Sequence, residues 1–496
     1  MTEPLQLLPG QQAAMAFLEK THRLMIDGRW VDAAYGRRFP VANPATEQVI
    51  ATVAEGGAAD IDLAVKAARR AFEGSWARTL PAERSKLLWR LADLVEANAA
   101  ELAIIETLDN GKTLATAMRV DINEAIERLR YYGGWATKLV GHSLSAQGPE
   151  DWHAYTLREP VGVAGLITAW NFAMPQAVNK FAAALAAGCT VVIKPPENTP
   201  LATLRLAELA LEAGFPEGVI NVVTGYGPDA GAALAEHPDV DKISFTGSTA
   251  TGKRIIAAAG GNLKRLVLEL GGKSPCIIFP DADLDRAIPA AANSIFFNSG
   301  QVCTAGSRLF VHETIFDRVV EGICDHAARL RVGPGIEPES DIGPLISAKQ
   351  LDRVLGLCGT AAVEARILRG GGRIDRPGYF MEPTVILDTT AEMAVRREEI
   401  FGPVLCAARF GGDDLDTIAR LANDTAYGLA AYIWTRDLGT AHRMARKVRA
   451  GLVNVNGGRR DPTVPSGGHK QSGWGLESGP AGIEAFTEMK SVVMGL

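Results

Sequence analysis

From Val161 onward, short apolar runs alternate with Ala- and Leu-rich helical stretches, and this rhythm constrains the chain more than any other feature. The runs are Val161–Thr168, Thr190–Lys194, Val219–Val223 and Lys242–Phe245. Strand–helix alternation of this kind predicts βαβ units around a parallel sheet, with ligands at the carboxyl ends of the strands. Beyond Gly271 a second alternation begins. Cys276–Phe279 and Leu309–His312 are each followed by a helical pattern, and Ala430–Trp434 and Leu452–Asn456 come later. At 496 residues the chain is too long for one core. The fold class is therefore α/β with two α/β domains. No fixed-period repeat and no low-complexity segment interrupts them.

The stretch before Val161 reads differently. Residues 24–56 look like short strands and turns. Asp60 is placed as the cap of a helix whose apolar face is Ile61, Ala64, Val65, Ala68 and Phe72. One long helix is expected from Pro81 through Leu102 to a stop at Asn110-Gly111, and a third from Asp121 to Leu139. Residues 141–158 are polar and extended, and suggest a hairpin leaving the body.

Charge excludes one class of partner. The net charge of −6 with interspersed signs, and no Lys/Arg stripe, argues against nucleic acid. The N-terminal MTEPLQLLPGQQ lacks the basic and apolar regions of a leader, and Phe181–Ile193 is too short an apolar run to cross a membrane. Six scattered cysteines without a CxxC pair fit a reducing compartment, so a cytoplasmic protein without a membrane partner is expected. No His spacing suggests a metal.

The chemistry centres on Phe296-Phe297-Asn298-Ser299-Gly300-Gln301-Val302-Cys303-Thr304-Ala305-Gly306-Ser307-Arg308. A helical pattern ends at Gly300, and the single thiol lies in a small polar turn before a β-like run. There it can reach solvent and substrate, whereas an unpaired Cys is otherwise a small buried hydrophobe. Upstream, Leu268-Glu269-Leu270-Gly271-Gly272-Lys273 sets a carboxylate beside two glycines. Two phosphate-loop patterns fail in detail. Gly225-Tyr226-Gly227-Pro228-Asp229-Ala230-Gly231 is one residue too long for the dinucleotide fingerprint, and Arg254 stands where a P-loop needs Ser or Thr. A strand ending Phe245-Thr246-Gly247-Ser248 before a helix can still hold a pyrophosphate on free N–H groups.

FNSGQVC, with LELGGKSP upstream, resembles the aldehyde dehydrogenase superfamily, and the similarity continues along nearly the whole chain. The resemblance implies NAD as cofactor, with Gly247, Ser248 and Gly252 at the pyrophosphate. Lys194-Pro195-Pro196-Glu197 is similar to the family's adenosine-ribose segment. A Glu197 that holds both ribose hydroxyls favours NAD over NADP. Ile167-Thr168-Ala169-Trp170-Asn171-Phe172 resembles PWNFP, which implies that Asn171 aims its amide at the aldehyde oxygen. Ala169 and Ala173 stand where the family has proline. Lys180 matches a Lys lining the same site. Glu399 and Phe401 match the nicotinamide-ribose and ring contacts. Gly227, Phe245, Leu270 and Gly271 complete the implied cofactor set. Pro465 to Glu477 is similar to PFGGxKxSGxGRE with Ser466 for Phe and Leu476 for Arg, and keeps Glu477 as a second carboxylate.

The implied architecture is a Rossmann-like NAD-binding domain (1–140 and 159–270), a catalytic domain (271–489) and a small β oligomerisation flap (141–158 and 490–496) that makes a dimer or tetramer. The implied reaction is oxidation of an aldehyde to its acid. Cys303 attacks, Asn171 and the Cys303 N–H hold the oxyanion, and Glu269 activates the water that hydrolyses the thioester. A CoA-acylating relative is disfavoured by retention of Glu269. A phosphorylated substrate is disfavoured by the lack of a basic cluster, and a non-enzymatic role by the presence of both Cys303 and Glu269. The sequence looks closest to the phenylacetaldehyde dehydrogenase-like branch. Its tunnel positions differ, with Asn179 for Trp and Ser466 for Phe, beside Phe172, Pro175, Gln176, Val302 and Thr304. A wide, polar tunnel is expected, suited to a bulky aryl or terpenoid aldehyde bearing oxygen.

Overall fold

A computed structural model describes residues 8–145, 152–458 and 461–495. Residues 1–7 of the N-terminal stretch, and 146–151 and 496 of the expected flap, lie outside them. Two large sheets carry the described chain. The first has eight strands. Its five parallel members lie side by side in the order Arg265–Glu269, Lys242–Thr246, Val163–Ile167, Thr190–Lys194 and Ile220–Val222. Helices such as Ala58–Glu73 and Ala173–Ala187 cover its faces, so the strands are buried on both sides and read as unbroken apolar runs. Leu24–Ile26 and Arg29–Val31 extend one edge. At the other, Gly473–Trp474 pairs antiparallel with Leu268 and Glu269.

The second sheet has seven strands, in the order Arg366–Arg369, Thr384–Leu387, Val404–Phe410, Arg308–His312, Pro275–Ile278, Ala430–Trp434 and Leu452–Val455. All pairs are parallel except the first. A third sheet joins Ser143–Leu144, Trp152–Pro160 and Thr487–Gly495, so the strands of the expected flap begin earlier at the C-terminal end and run further at the other.

Two local expectations are corrected. The helix from Pro81 ends at Ala97, and a second runs Ala99–Asn110. Asn98 leaves helical geometry between them (φ −104°, ψ 18°) and turns its Nδ2 back onto the Leu94 carbonyl, an alternative that Asn offers the backbone and most residues do not. Asp60 is not the cap. It sits in the first turn of Ala58–Glu73, where its Oδ2 accepts from the N–H of the capping Gly57 at 3.0 Å and its Oδ1 from that of Ala34 at 2.9 Å.

Candidate active site

The parallel ladder of the first sheet brings distant sequence segments to one edge. Ile167 is in register with Lys194 and Phe245, and Thr246 with Glu269. The turns that leave these strands therefore emerge together, which is where an open parallel sheet forms its ligand crevice.

Gly247 follows Phe245-Thr246, and any Cβ there would lie 2.4 Å from the Phe245 ring. Ser248 then caps the helix Thr249–Ala259, its Oγ accepting from the Thr251 N–H at 3.2 Å. Gly252, in the first turn, lets that helix approach Leu270, which a Cβ would meet at 2.7 Å. Lys194 is buried, and its Nζ donates to Glu197 Oε2 at 3.1 Å; burial lowers its pKa and Glu197 opposes the shift. Pro196 is buried between them and Glu197 is half-buried. Gly227 meets nothing that would exclude a side chain. The glycine this loop requires is Gly225, whose Cβ would strike the Gly56 carbonyl at 2.3 Å.

Glu399 reaches across from the second half of the chain, its Oε1 accepting from the Gly272 N–H at 3.0 Å. Desolvation pushes its carboxyl up to about 7. A Cβ at Gly271 would lie 2.4 Å from the Glu399 carboxylate, so a side chain there would displace Glu399. Phe401 holds φ +58°, a costly conformation for a bulky residue. Gln350 Nε2 donates to the Phe401 carbonyl at 2.8 Å and to that of Ile400 at 3.1 Å, and the Phe401 ring meets Trp170 edge-on at 5.2 Å.

Cys303 follows a backbone reversal built from three left-handed residues, Asn298 (φ 50°), Ser299 (φ 56°) and Gly300 (φ 71°). Asn and Gly adopt this region readily. Ser299 is held there by its Oγ donating to the Gly343 carbonyl at 2.6 Å. A Cβ on Gly300 would overlap the Gly402 carbonyl at 2.0 Å, and one on Gly272 the Cys303 carbonyl at 2.2 Å. The Glu269 loop and the Cys303 turn are thus in direct backbone contact.

Asn171, 2% exposed, donates its Nδ2 to the Gln301 carbonyl at 2.9 Å, which sets the amide against the Cys303 turn. Lys180 is buried and bonds Glu477 Oε1 and, at 3.1 Å, Ser244 Oγ. Burial raises the Glu477 carboxyl, but Lys180, Ser244 and Asn179 outweigh it, so Glu477 titrates below its ordinary range and is ionised at neutral pH.

A cavity of about 210 Å³ opens over Cys303, Glu269 and Thr246. Phe172, Pro175, Gln176, Asn179, Thr304, Ser466 and Glu477 line it. Val302 does not: it packs against the core that contains Ile295 and Leu309, because the turn points Cys303 and its neighbour to opposite sides. Two polar groups expected to meet substrate are already engaged. Asn179 Nδ2 donates to Glu477 Oε2 at 3.0 Å, and both ends of the Gln176 amide bond the Asn171 loop. Polar groups that sequence reasoning missed complete the wall. Arg128 and Glu124, a helical i,i+4 pair, face Asn454 and Tyr432 from the second sheet. Their spacing was visible, but only the fold shows that this helix borders the cavity. Arg128 Nε is buried without a hydrogen-bond partner among the described residues.

Comparison with known proteins agrees with this geometry. A model of the aldehyde dehydrogenase family matches residues 30–492. The chain is 47% identical over 475 residues to an aldehyde dehydrogenase of Enchytraeus buchholzi, covering 95% of each. It is 46% identical over 500 residues to mouse aldehyde dehydrogenase 1A1, covering 100% of this chain and 99% of that one. The NAD+ complex of an aldehyde dehydrogenase from Bacillus cereus superposes with a TM-score of 0.96 at 46% identity, covering 99% of both chains. A family model over most of the chain, and relatives that cover it almost from end to end, show that this chain belongs to the aldehyde dehydrogenase family.

Proposed function

We propose that the protein oxidises a bulky aryl or terpenoid aldehyde, bearing an oxygen substituent, to its carboxylic acid with NAD+. The observation that carries this reading is the cavity over Cys303, walled by Asn179 and Ser466 where the family's small-substrate members carry large aromatics, and by Arg128 and Asn454 further out. A panel of acetaldehyde, hexanal, phenylacetaldehyde, hydroxylated benzaldehydes and a terpenoid aldehyde tests it. The oxygenated bulky aldehydes are expected to give the highest kcat/KM. A maximum at acetaldehyde would end the wide-cavity reading.

The residues at the strand ends fit a dinucleotide. The helix Thr249–Ala259 opens directly after the strand Lys242–Thr246, with its first N–H groups at the strand end, and Thr168 Oγ1 is buried without a partner among the described residues. Ser248 and Gly252 would hold the pyrophosphate, Lys194 and Glu197 the adenosine ribose, and Glu399 and Phe401 the nicotinamide end. NAD+, when bound there, supplies the hydride acceptor that takes the Cys303 adduct to a thioester. A carboxylate that binds both ribose hydroxyls repels a 2′-phosphate. The ratio of kcat/KM for NAD+ over NADP+ is therefore expected to be at least about tenfold, or roughly 1.4 kcal/mol. Equal use of the two would remove Glu197 from this role.

The chain's own groups do the rest. The Cys303 thiolate attacks the carbonyl carbon, and the Asn171 amide with the Cys303 N–H receives the oxyanion. Glu269, lining the same cavity, takes a proton from the water that attacks the thioester. Ionised Glu477, held by Lys180, is the second carboxylate for proton release. Glu269→Gln is expected to keep a fast first burst of NADH and to slow steady turnover by about 10²–10⁴-fold. A lost burst would move Glu269 to activation of Cys303, and unchanged steady turnover would exclude it.

Residues 1–140 with 159–270 form the cofactor-binding domain in this reading, and 271–489 the catalytic domain. The third sheet exposes Trp152, Met489 and Val493 along its strands. Open edges and apolar side chains of this kind suit pairing with a second copy, hence a homodimer or homotetramer. Among the described residues, no helix is long and apolar enough to cross a membrane.

A further inference from the structure

Asn171 serves the aldehyde oxygen with only one end of its amide. Turned by 180° about its last side-chain bond, the same group fills the same space and presents an acceptor, which repels an oxyanion. The Asn171 backbone does not settle the choice. Its carbonyl is held by Lys112 Nζ at 2.9 Å and, more loosely, by Asn298 Nδ2 at 3.4 Å, and both leave the side chain free to turn.

Three hydrogen bonds in series do settle it. The Ala169 N–H donates to Gln176 Oε1 at 2.8 Å, Gln176 Nε2 donates to Asn171 Oδ1 at 3.0 Å, and Asn171 Nδ2 donates to the Gln301 carbonyl at 2.9 Å. The two ends are backbone groups with fixed roles: an N–H only donates and a carbonyl only accepts. Turning Asn171 alone sets two donors together at Gln176 and two acceptors together at Gln301. Turning both amides restores their mutual bond but sets Gln176 Nε2 against the Ala169 N–H, and the clash at Gln301 remains. Either way two contacts are mismatched, so one polarity is selected. The series also depends on a departure from the family motif. Proline at 169 has no N–H to donate, whereas Ala169 does.

We infer that Gln176 is a positioning residue for the oxidation: anchored on the Ala169 N–H, it fixes the Asn171 amide with Nδ2 toward the Cys303 turn. The inference rests on the reading of Asn171 as the oxyanion donor.

Gln176→Glu provides the test. Glu keeps the size of the side chain and still accepts from the Ala169 N–H, but it cannot donate to Asn171 Oδ1. Its second oxygen instead accepts from Asn171 Nδ2 and pulls the amide into the wrong orientation. The single-turnover rate of NADH formation at saturating aldehyde is expected to fall by about 10²–10³-fold, the loss typical of one oxyanion donor, with NAD+ affinity unchanged. Gln176→Met removes the director without imposing the wrong polarity, so its fall is smaller. A side chain that only filled space or anchored the loop would give the reverse order, with Glu the milder change.

The pH profile of Cys303 alkylation by iodoacetamide, taken for each variant, separates polarity from charge. The loss in Gln176→Glu is expected to persist at a pH where Cys303 is fully ionised. Recovery of the parent rate at that pH, or a larger loss in Gln176→Met, would overturn the inference. Asn171→Ala supplies the reference, and adding Gln176→Glu to it should cost nothing further. If Asn171→Ala itself left the rate unchanged, the oxyanion reading would fail and take this inference with it. If Asn171→Ala slowed the reaction and Gln176→Glu did not, the inference alone would be wrong.

Discussion

Cys303→Ala is expected to abolish aldehyde oxidation, by roughly 10⁴-fold or more in kcat, while NAD+ binding is retained. The thiol is half-buried in the wall of the cavity and is the only cysteine there. The other five are placed for packing. Cys189, Cys276, Cys358 and Cys406 are buried, and burial pushes the first three up to about 11, 12 and 12, with Cys406 raised as well. Cys324 is half-buried on the helix Phe316–Arg329 and is also raised by desolvation. None of these forms a thiolate near neutral pH or faces Glu269, so Cys324→Ser should leave turnover unchanged. In the proposed reading the cofactor contacts lie on other segments, so binding should survive loss of the nucleophile. Steady-state NADH formation and a direct titration of NAD+ binding measure the two properties separately. Substantial turnover by Cys303→Ala would refute covalent catalysis at this residue.

The sheet was legible because a parallel strand buried on both faces leaves a continuous apolar run. Val161–Thr168, Thr190–Lys194 and Lys242–Phe245 all fall on observed strands to within two residues. Pairing that does not repay its cost in local sequence was not legible. Gly473–Trp474 is a strand of two residues, half-exposed and exposed, and only the neighbouring Leu268 and Glu269 make it one. The motifs that carry Asn171 and Glu269 sit at strand ends, and Cys303 follows the turn after the helix Leu284–Phe296. Which way a side chain points was harder to read. Val302 was expected in the tunnel, yet it turns into the core when three left-handed residues reverse the chain before it. Asn179 and Gln176 were expected in a polar tunnel, and nothing in a linear sequence shows that Glu477 and Ala169 arrive to engage their amides. The largest omission was Lys112. An Asn-Gly-Lys end to a helix looks like an ordinary solvated stop, and nothing local shows that Asp121, Asn171 and Phe172 close around its ammonium.

Lys112→Met is accordingly expected to have the largest effect on stability of any single change at the site, and to slow the chemistry as well. The ammonium is fully buried. It donates to Asp121 Oδ1 at 2.5 Å, Glu106 Oε1 at 3.1 Å and the Asn171 carbonyl at 2.9 Å, and lies 4.5 Å from the centre of the Phe172 ring. Its partners are fully buried too, and Asp109 is buried nearby with its carboxyl raised well above the usual range by desolvation and by Glu106. Removing the one cation strands carboxylates that no water reaches, a loss of about 3–5 kcal/mol in comparable sites. Burial also raises Asp121 in the intact protein, against the pull of Lys112, and without the lysine nothing opposes it. A carboxyl whose folded pKa exceeds its unfolded value binds more protons when folded. Its penalty is therefore complete above the folded pKa and vanishes below the unfolded value, about 4. The stability gap between Lys112→Met and the parent should thus widen as pH rises above the parent's folded Asp121 pKa and close as pH falls toward about 4; urea unfolding across pH measures it. Adding Asp121→Asn to Lys112→Met removes a stranded charge and should recover much of the stability. It cannot restore the donor to the Asn171 carbonyl, so single-turnover oxidation should remain slow in the double variant. A pH-independent gap would show that Lys112 acts by packing, and a double variant with parent-like oxidation would show that the Asn171 turn holds its shape without it.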